Sequence, residues 1–555
     1  MVDIHQVMEK DIETKGQGDV PQDVNFRALA EGTSDLVYQN DQLERGLKSR
    51  HIQFLALGGA IGTGLFVGSG VTLSIVGPLP LFFGYIVMML IVWNIMNNLA
   101  EMATLLPVKG VTVPYFIDRF VCPSLGFAAG WNYWMAYALL IGAEASAVAI
   151  LFDYWNTDVH AAVWLTIYLV VILALNIIAV SFFGEAEFWF ASIKLITILG
   201  LILTGLVIML GGAPNGDRIG FRYWNNPGAV KTYLVHSNKN TGRFLAFWTG
   251  IIRAGFAYIT SPELIAVAAG ETIAPRRNIP KAAGRFVYRL AIFYGLGSLM
   301  IGIITPSNDP NLLNPESNAN SSPWVIGIQN AGIEVLNHII NAAILTSAWS
   351  AGNALLYAGS RILYSLAING QAPRFLRHTN RRGVPWVAIL CTWSIGILSF
   401  LNVNNSGAKV FTWFMNLTTI SGFIAWILIM ITFIRFRKAL EVQNLMHTLP
   451  YKTNLQPYAT YFMLVLLILL TLTNGFQVFF PGNFNASDFL AAYITLPIFL
   501  ALYIGHKIYS RSWRFAYPVE EVDVTTGVKE MEELAALDER PEPKNIWQKI
   551  WFWIA

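Results

Sequence analysis

The sequence predicts an all-α polytopic membrane protein, and three observations carry that prediction. Of 555 residues, 55% are hydrophobic and 13% charged, with a mean hydropathy of +0.49. Apolar stretches of about 20 residues recur along the chain, the helix length that crosses roughly 30 Å of hydrocarbon. Lys and Arg gather after every second stretch, as they do where loops alternate across a bilayer. The net charge of +3 carries no nucleic-acid signal, and two cysteines, Cys122 and Cys391, make no disulfide framework.

About twelve spans are expected, at 52–76, 79–102, 124–152, 162–183, 187–211, 244–269, 286–305, 329–359, 385–402, 409–434, 458–480 and 486–507. Residues 1–43 are too poor in apolar side chains to fold alone and read as a disordered tail. They contain no apolar signal segment, so the first span is expected to act as its own insertion signal. Residues 44–511 form the transmembrane domain and 512–555 a second polar tail, whose aromatic end from Ile546 to Ala555 suits a headgroup layer or a cytoplasmic loop. Basic clusters at Arg45–Arg50, Arg276–Arg289, Arg361–Arg382, Arg435–Lys438 and Lys507–Arg514 place both termini in the cytoplasm. The loop 212–243 dissents, with Arg218, Arg222, Lys231, Lys239 and Arg243 on the predicted outer side. Acceptor patterns at Asn320, Asn404 and Asn485 agree with that topology, while the one at Asn416 falls inside a span.

The first span is interrupted by Gly58-Gly59-Ala60-Ile61-Gly62-Thr63-Gly64. Each glycine inside a helix costs roughly 1 kcal/mol relative to alanine, so the run predicts unwound backbone. Unwound backbone at membrane depth must be buried in protein or line a cavity. Close helix packing is the other reading of such a run. Many secondary transporters contain two inverted repeats with a broken helix in each, so the sixth span should break like the first. It reads Phe256-Ala257-Tyr258-Ile259-Thr260-Ser261-Pro262-Glu263. Pro262 has no N–H and crowds the Tyr258 carbonyl, freeing acceptors around Tyr258–Thr260.

The two breaks have opposite polarity. The N–H groups of Gly62, Thr63 and Gly64 suit a carboxylate, and the span-6 carbonyls suit an ammonium. A ligand with both charges close together is an α-amino acid. Ionisable residues inside spans cost roughly 2.5–3.5 kcal/mol each and need a reason. Lys194 in span 5 is read as a proton-linked group or as a lysine reaching the membrane edge. Glu144 in span 3 either takes a proton, lies beside the substrate amine, or bonds a neighbouring helix. Glu263 is read as a helix cap after the break, with proton coupling as its second role. Glu101 closes span 2 as a gate or loop contact. Phe256 and Tyr258 beside the break, and Trp349 in span 8, are candidate pocket walls. No metal-ligand spacing, nucleophile elbow or phosphate loop occurs, so neither an enzyme nor an ATP-driven pump is expected and no cofactor is implied.

Gly46-Leu47-Lys48-Ser49-Arg50-His51, the run Ala56–Phe66, the segment Glu187–Lys194 and Pro275-Arg276-Arg277-Asn278-Ile279-Pro280-Lys281-Ala282 resemble the fungal amino acid permease family of the amino acid–polyamine–organocation superfamily. The resemblance extends from about residue 43 to 530. Within the family the chain is similar to the proline permeases, which carry a Pro-Glu pair at the span-6 break as Pro262-Glu263 does. Gly327–Gly332, Leu345–Ser350 and Glu521–Gly527 resemble the same subgroup. The resemblance implies a LeuT-like five-plus-five inverted repeat, plasma-membrane residence, and import of proline or other small neutral amino acids by proton symport. It also implies ubiquitin-driven endocytosis through N-terminal lysines, here Lys10 and Lys15. The family often ends in an aromatic pair followed by cysteine, whereas this chain ends Phe552-Trp553-Ile554-Ala555. The alternatives are a broader neutral amino acid or γ-aminobutyrate permease, and a non-transporting amino acid sensor.

Overall fold

The computed structural model describes residues 62–106, 112–155, 159–178, 180–263, 275–313, 322–380, 383–405 and 407–528, together with Glu532 and Asn545. The chain divides into units Met1–Glu44 and Arg45–Ala555. The first unit lies outside the described residues, and with it Lys10 and Lys15. So do Gly58, Gly59, Ala60 and the aromatic end from Ile546 to Ala555.

Among the described residues every regular element is a helix. Past Gly62, a π turn Gly64–Gly68 leads into α1 (Ser69–Val76), followed by α2 (Pro78–Leu105), α3 (Thr112–Phe120), α4 (Pro123–Asp153), α5 (Ala161–Ile178) and α6 (Val180–Leu210). Next come α7 (Lys239–Ala254), extended by a 3₁₀ turn Gly255–Tyr258, then α8 (Pro275–Leu290), α9 (Gly297–Ile304), α10 (Pro310–Leu313) and α11 (Pro323–Asn330). The chain continues through α12 (Leu336–Ile368), α13 (Trp386–Gly396), α14 (Gly407–Val442), α15 (Tyr458–Leu472), α16 (Ala486–Tyr493) and α17 (Thr495–Ser510).

Among the described residues, eight helical segments are long and apolar enough to cross a membrane, or nine when α16 and α17, bent by 46°, count as one span. That bend falls at Ile494, where the Tyr493 carbonyl lacks the N–H that Pro497 cannot supply. Of the other predicted spans, shorter helical stretches lie within the described residues. Gly64–Val76 is a half-span after the glycine run, Tyr458–Leu472 is a short apolar helix, and span 6 stops being helical at Tyr258.

One boundary moves substantially. Span 8, expected from residue 329, begins at Leu336, because α11 ends in a turn at Gly332 with φ +78°. The Gly332 and Ile333 N–H groups close that turn on the Gln329 and Ile328 carbonyls. The amphipathic α3, between spans 2 and 3, has no counterpart among the predicted elements.

Helix α4 packs along α12 and α14, while α2 packs along α7 and α8. Two glycines allow the second arrangement. A Cβ on Gly84 would lie 2.4 Å from the Gly250 carbonyl oxygen, and one on Gly250 would lie 2.5 Å from that of Pro80.

Two cations of the loop that dissented in charge are held by specific partners. Arg222 makes two 2.7 Å bonds to the Asp217 carboxylate. Lys231 donates to the carbonyls of Ser74 at 2.7 Å and Ser307 at 2.8 Å, a cation at the C-terminal end of α1.

At the other end of α2, Glu101 receives both arms of Arg437 from α14, at 2.8 and 2.9 Å. The Thr453 N–H donates to the same carboxylate at 2.8 Å. Glu101 thus joins a loop, as expected, and also pins α2 to α14.

Candidate functional site

The site grows from the two breaks. Gly62 is the bend before the helix, and the Thr63 side chain is fully buried. The Thr63 hydroxyl donates to Glu144 Oε1 at 3.1 Å, and its backbone N–H acts on the same carboxylate. A Cβ on Gly62 would touch Glu144 Oε1 at 3.4 Å. An internal carboxylate therefore already stands at the N-terminal end of the half-helix, where the sequence placed a substrate carboxylate. Helix N-termini favour such groups through their unpaired donors and dipole. Glu144 Oε2 is buried without a partner among the described residues.

Lys194 is 1% exposed, so it lies inside the protein and does not extend to an edge. Its charge reaches Glu144. Tyr168 of α5, which the sequence reading passed over as one aromatic among many, is buried and also electrostatically coupled to Glu144. Its hydroxyl has no partner among the described residues. It fits only because residue 352 is glycine, where a Cβ would lie 1.5 Å from that oxygen. Trp349 packs on Tyr168 with ring centres 5.7 Å apart, and its Nε1 is likewise buried without a partner among the described residues. Glu144, Thr63, Lys194, Tyr168 and Trp349 thus form one neighbourhood.

Gly64 joins the breaks. A Cβ there would lie 2.7 Å from the Ala257 Cα, so span 1 meets the span-6 turn backbone to backbone. Gly62 is a bend and Gly64 a point of close packing, while Gly58 to Ile61 lie outside the described residues. Phe256 lies over this contact, within reach of Gly64 and Gly68, and meets Phe411 edge-on at 5.6 Å.

Span 6 differs from expectation in its carbonyls. The Tyr258 carbonyl, expected to be freed by Pro262, accepts from the Ser261 N–H at 3.1 Å and hydroxyl at 2.6 Å. The Ala257 carbonyl accepts from the Tyr294 hydroxyl at 2.9 Å. Among the described residues, those of Ile259 and Thr260 receive no hydrogen bond. Thr260 has φ +70°, an outlier for a β-branched residue that costs about 1–3 kcal/mol and often marks a working site.

The Tyr258 ring turns away from span 1. Its hydroxyl donates to the Tyr85 carbonyl at 3.0 Å, and its ring lies tilted by 32° against Tyr294 with centres 4.3 Å apart. Ile259 packs against Gly422 of α14. The Tyr258 ring, a candidate pocket wall, is thus engaged by Tyr85 and Tyr294.

Glu263 is also placed differently. Its Oε1 accepts from Trp426 Nε1 at 3.0 Å and from the Tyr133 hydroxyl at 3.4 Å, tying span 6 to α14 and α4. Tyr133 is eleven residues before Glu144 on α4, roughly 16 Å by helical rise. Glu263 therefore stands apart from the Glu144 neighbourhood, and the backbone it was expected to cap, from residue 264 on, lies outside the described residues.

A helical membrane bundle in which a bend at Gly62 adjoins the non-helical turn of span 6 follows the pattern of a secondary transporter fold. The chain belongs to the amino acid permease family, whose profile matches residues 51–518. It is 55% identical to the proline-specific permease of Emericella nidulans, over 93% of this chain and 94% of that protein. It is 54% identical to a probable proline-specific permease of Schizosaccharomyces pombe, over 90% of each. The lysine-specific permease of Saccharomyces cerevisiae is more distant, at 39% over 95% of this chain and 85% of that one. Among solved structures, a manganese transporter of Eremococcus coleocola matches with a TM-score of 0.54 at 17% identity, covering 83% of this chain and 93% of that one. That likeness concerns the fold alone. The protein is a multi-pass membrane permease for amino acids, not an enzyme.

Proposed function

We propose that the protein imports proline, or another small neutral amino acid, with a proton across the plasma membrane by alternating access, both termini being cytoplasmic. The proton gradient is the energy source, with no ATP and no cofactor. The observation that carries the reading is the Glu144 carboxylate on the Thr63 hydroxyl at 3.1 Å. Substrate carboxylate and Glu144 carboxylate compete for one set of donors, and two like charges side by side repel. A proton delivered to Glu144 removes that competition, so substrate and proton enter together. Lys194 balances the charge that remains.

Proline is favoured within this class by two considerations. The proline-specific relatives are 49–55% identical, against 36–39% for those named for basic amino acids. A prolinium nitrogen also has only two N–H bonds, and the Ile259 and Thr260 carbonyls offer two acceptors. A pocket separates ligands differing by one methylene by only about 1–3 kcal/mol, so alanine, glycine and γ-aminobutyrate belong in the same test. Lipid surrounds the spans, and ubiquitin ligase machinery acting at Lys10 and Lys15 removes the protein from the surface.

The test is labelled proline uptake in whole cells at external pH 5 and 7, about 100-fold apart in proton activity, with the twenty amino acids as competitors. Wild type should accumulate proline better at the acid pH, and Glu144→Gln should take it up without that dependence. A Glu144→Gln variant with the wild-type pH profile rejects the coupling role.

A further inference from the structure

Three tyrosines pack together beside the span-6 turn. Tyr85 of α2, Tyr258 and Tyr294 are 2%, 0% and 1% exposed, with ring centres 4.3 to 6.0 Å apart. Each hydroxyl donates to a backbone carbonyl. Tyr258 reaches that of Tyr85, Tyr85 that of Gly64 at 3.3 Å, and Tyr294 that of Ala257 at 2.9 Å. Gly64 and Ala257 are the residues at which span 1 and the span-6 turn approach backbone to backbone. In a five-plus-five repeat, span 7 stands to span 6 as span 2 stands to span 1. Tyr85 and Tyr294 thus come from corresponding spans and cover the carbonyls on the two sides of one contact. Tyr294 lies in a π turn, Ala291–Leu296, a geometry frequent at functional positions in helices.

The span-6 turn is left with few open acceptors. In a continuing α-helix the Ala257 carbonyl would receive the Ser261 N–H. That N–H goes instead to the Tyr258 carbonyl, joined there by the Ser261 hydroxyl at 2.6 Å. Tyr294 takes up the Ala257 carbonyl. Between Ala257 and Thr260, therefore, two consecutive carbonyls are covered, and those of Ile259 and Thr260 receive no hydrogen bond among the described residues. That number discriminates between amines. A secondary ammonium has two N–H bonds and a primary one three, and an N–H buried without an acceptor weakens binding about tenfold.

We propose that Tyr294 and Ser261 set a preference for secondary over primary amino acids, by covering the Ala257 and Tyr258 carbonyls so that the span-6 turn offers two acceptors and no third. The proposal rests on the import reading above, in which the Ile259 and Thr260 carbonyls hold the substrate nitrogen. Both are positioning residues, acting through the carbonyls they cover. Removing either hydroxyl opens an acceptor for a third N–H and admits a primary ammonium on more equal terms. Selectivity for proline then follows from the number of hydrogen bonds as well as from the shape of the ring.

The test pairs two ligands that differ at nitrogen alone, L-alanine and N-methyl-L-alanine, as competitors of labelled L-proline uptake in whole cells expressing the full chain. Wild type should be inhibited by N-methyl-L-alanine at about tenfold lower concentration than by L-alanine. In Tyr294→Phe and in Ser261→Ala that gap should narrow to within about threefold, with labelled proline still taken up. Contacts of the N-methyl group are common to wild type and variants, so the change in ratio isolates the added acceptor. Ser261→Ala leaves the tyrosine cluster intact and reads the same ratio if Tyr294→Phe fails to reach the surface. Both ligands weakened equally, with the ratio kept, would show a merely structural role for the hydroxyls and overturn the proposal. A wild type that takes up proline but does not distinguish the two ligands overturns the acceptor count alone. A chain that takes up no proline overturns the import reading and this proposal with it.

Discussion

Glu144 and Thr63, 81 positions apart in the chain, meet at 3.1 Å and join α4 to the start of the half-helix beyond the first break. The contact sets a protein carboxylate on the donors to which the proposed function assigns the substrate carboxylate. On that proposal binding and protonation act on the same few atoms, without a relay between distant sites.

Thr63→Val keeps the shape of the side chain and removes the hydroxyl. The expected result is a five- to tenfold weaker affinity for labelled proline, as one hydrogen bond contributes about 1–1.5 kcal/mol. Thr63→Ser should stay within about twofold, because it retains the donor. Equal affinity in the valine variant and wild type would show that the hydroxyl plays no part.

Gly64→Ala introduces a Cβ 2.7 Å from the Ala257 Cα, where the obstacle is backbone. Forcing the breaks apart should cost about 1–3 kcal/mol and remove at least 90% of uptake, a loss of about tenfold, at normal surface abundance. The check is uptake normalised to surface-labelled protein. Full activity would mean that the breaks need not touch.

The Glu101–Arg437 pair is almost completely enclosed, with side chains 0% and 7% exposed. Removing one partner strands the other, so Glu101→Ala should destabilise the protein by about 3–5 kcal/mol. Thermal unfolding in detergent should register a clearly lower Tm. The double variant Glu101→Leu with Arg437→Met should recover most of it, since no charge is left unpaired. A single variant melting with wild type refutes the pinning role.

Asp118 of α3 provides a pH test outside the spans. Burial pushes its carboxyl up from 3.8 to about 6. Between those two values the folded chain holds a proton that the unfolded chain has released, so this group's contribution to stability falls as pH rises towards 6 and is level above it. The whole effect is at most about 3 kcal/mol. Asp118→Asn should flatten that part of the Tm profile between pH 4.5 and 7.5, about three units, and raise the Tm at the upper end. An unchanged slope in the variant excludes Asp118 as its source.

The same helix anchors the segment after α17. Arg119 donates to the carbonyls of Asp523 and Thr526, each at 2.8 Å, and Val522 and Val524 are buried. Nothing in the composition of residues 512–528 marked them as packed, because their apolar side chains are scattered among polar ones and much of the anchoring is hydrogen bonding to backbone.

The spans were legible because hydrophobic length is a local property, readable within about twenty residues. The interruption of span 6 was legible for the same reason, since Pro262 acts on its own backbone whatever surrounds it, and Gly62 at the end of the glycine run is a bend. What they become depends on neighbours. Ser261 takes up the Tyr258 carbonyl, and Tyr85 and Tyr294 draw the Tyr258 ring away. Tyr168 could not be told from the other aromatics, because its position depends on a missing side chain at Gly352.

By itself, then, the sequence determined a helical membrane protein with paired interruptions, because membrane length and backbone breakage are decided within a few residues of each event. Only the tertiary structure decided which charge meets which donor. The partners of Glu144, Glu263 and Glu101 are Thr63, Trp426 and Arg437, and side-chain pairing at such separations is set by which helices pack together.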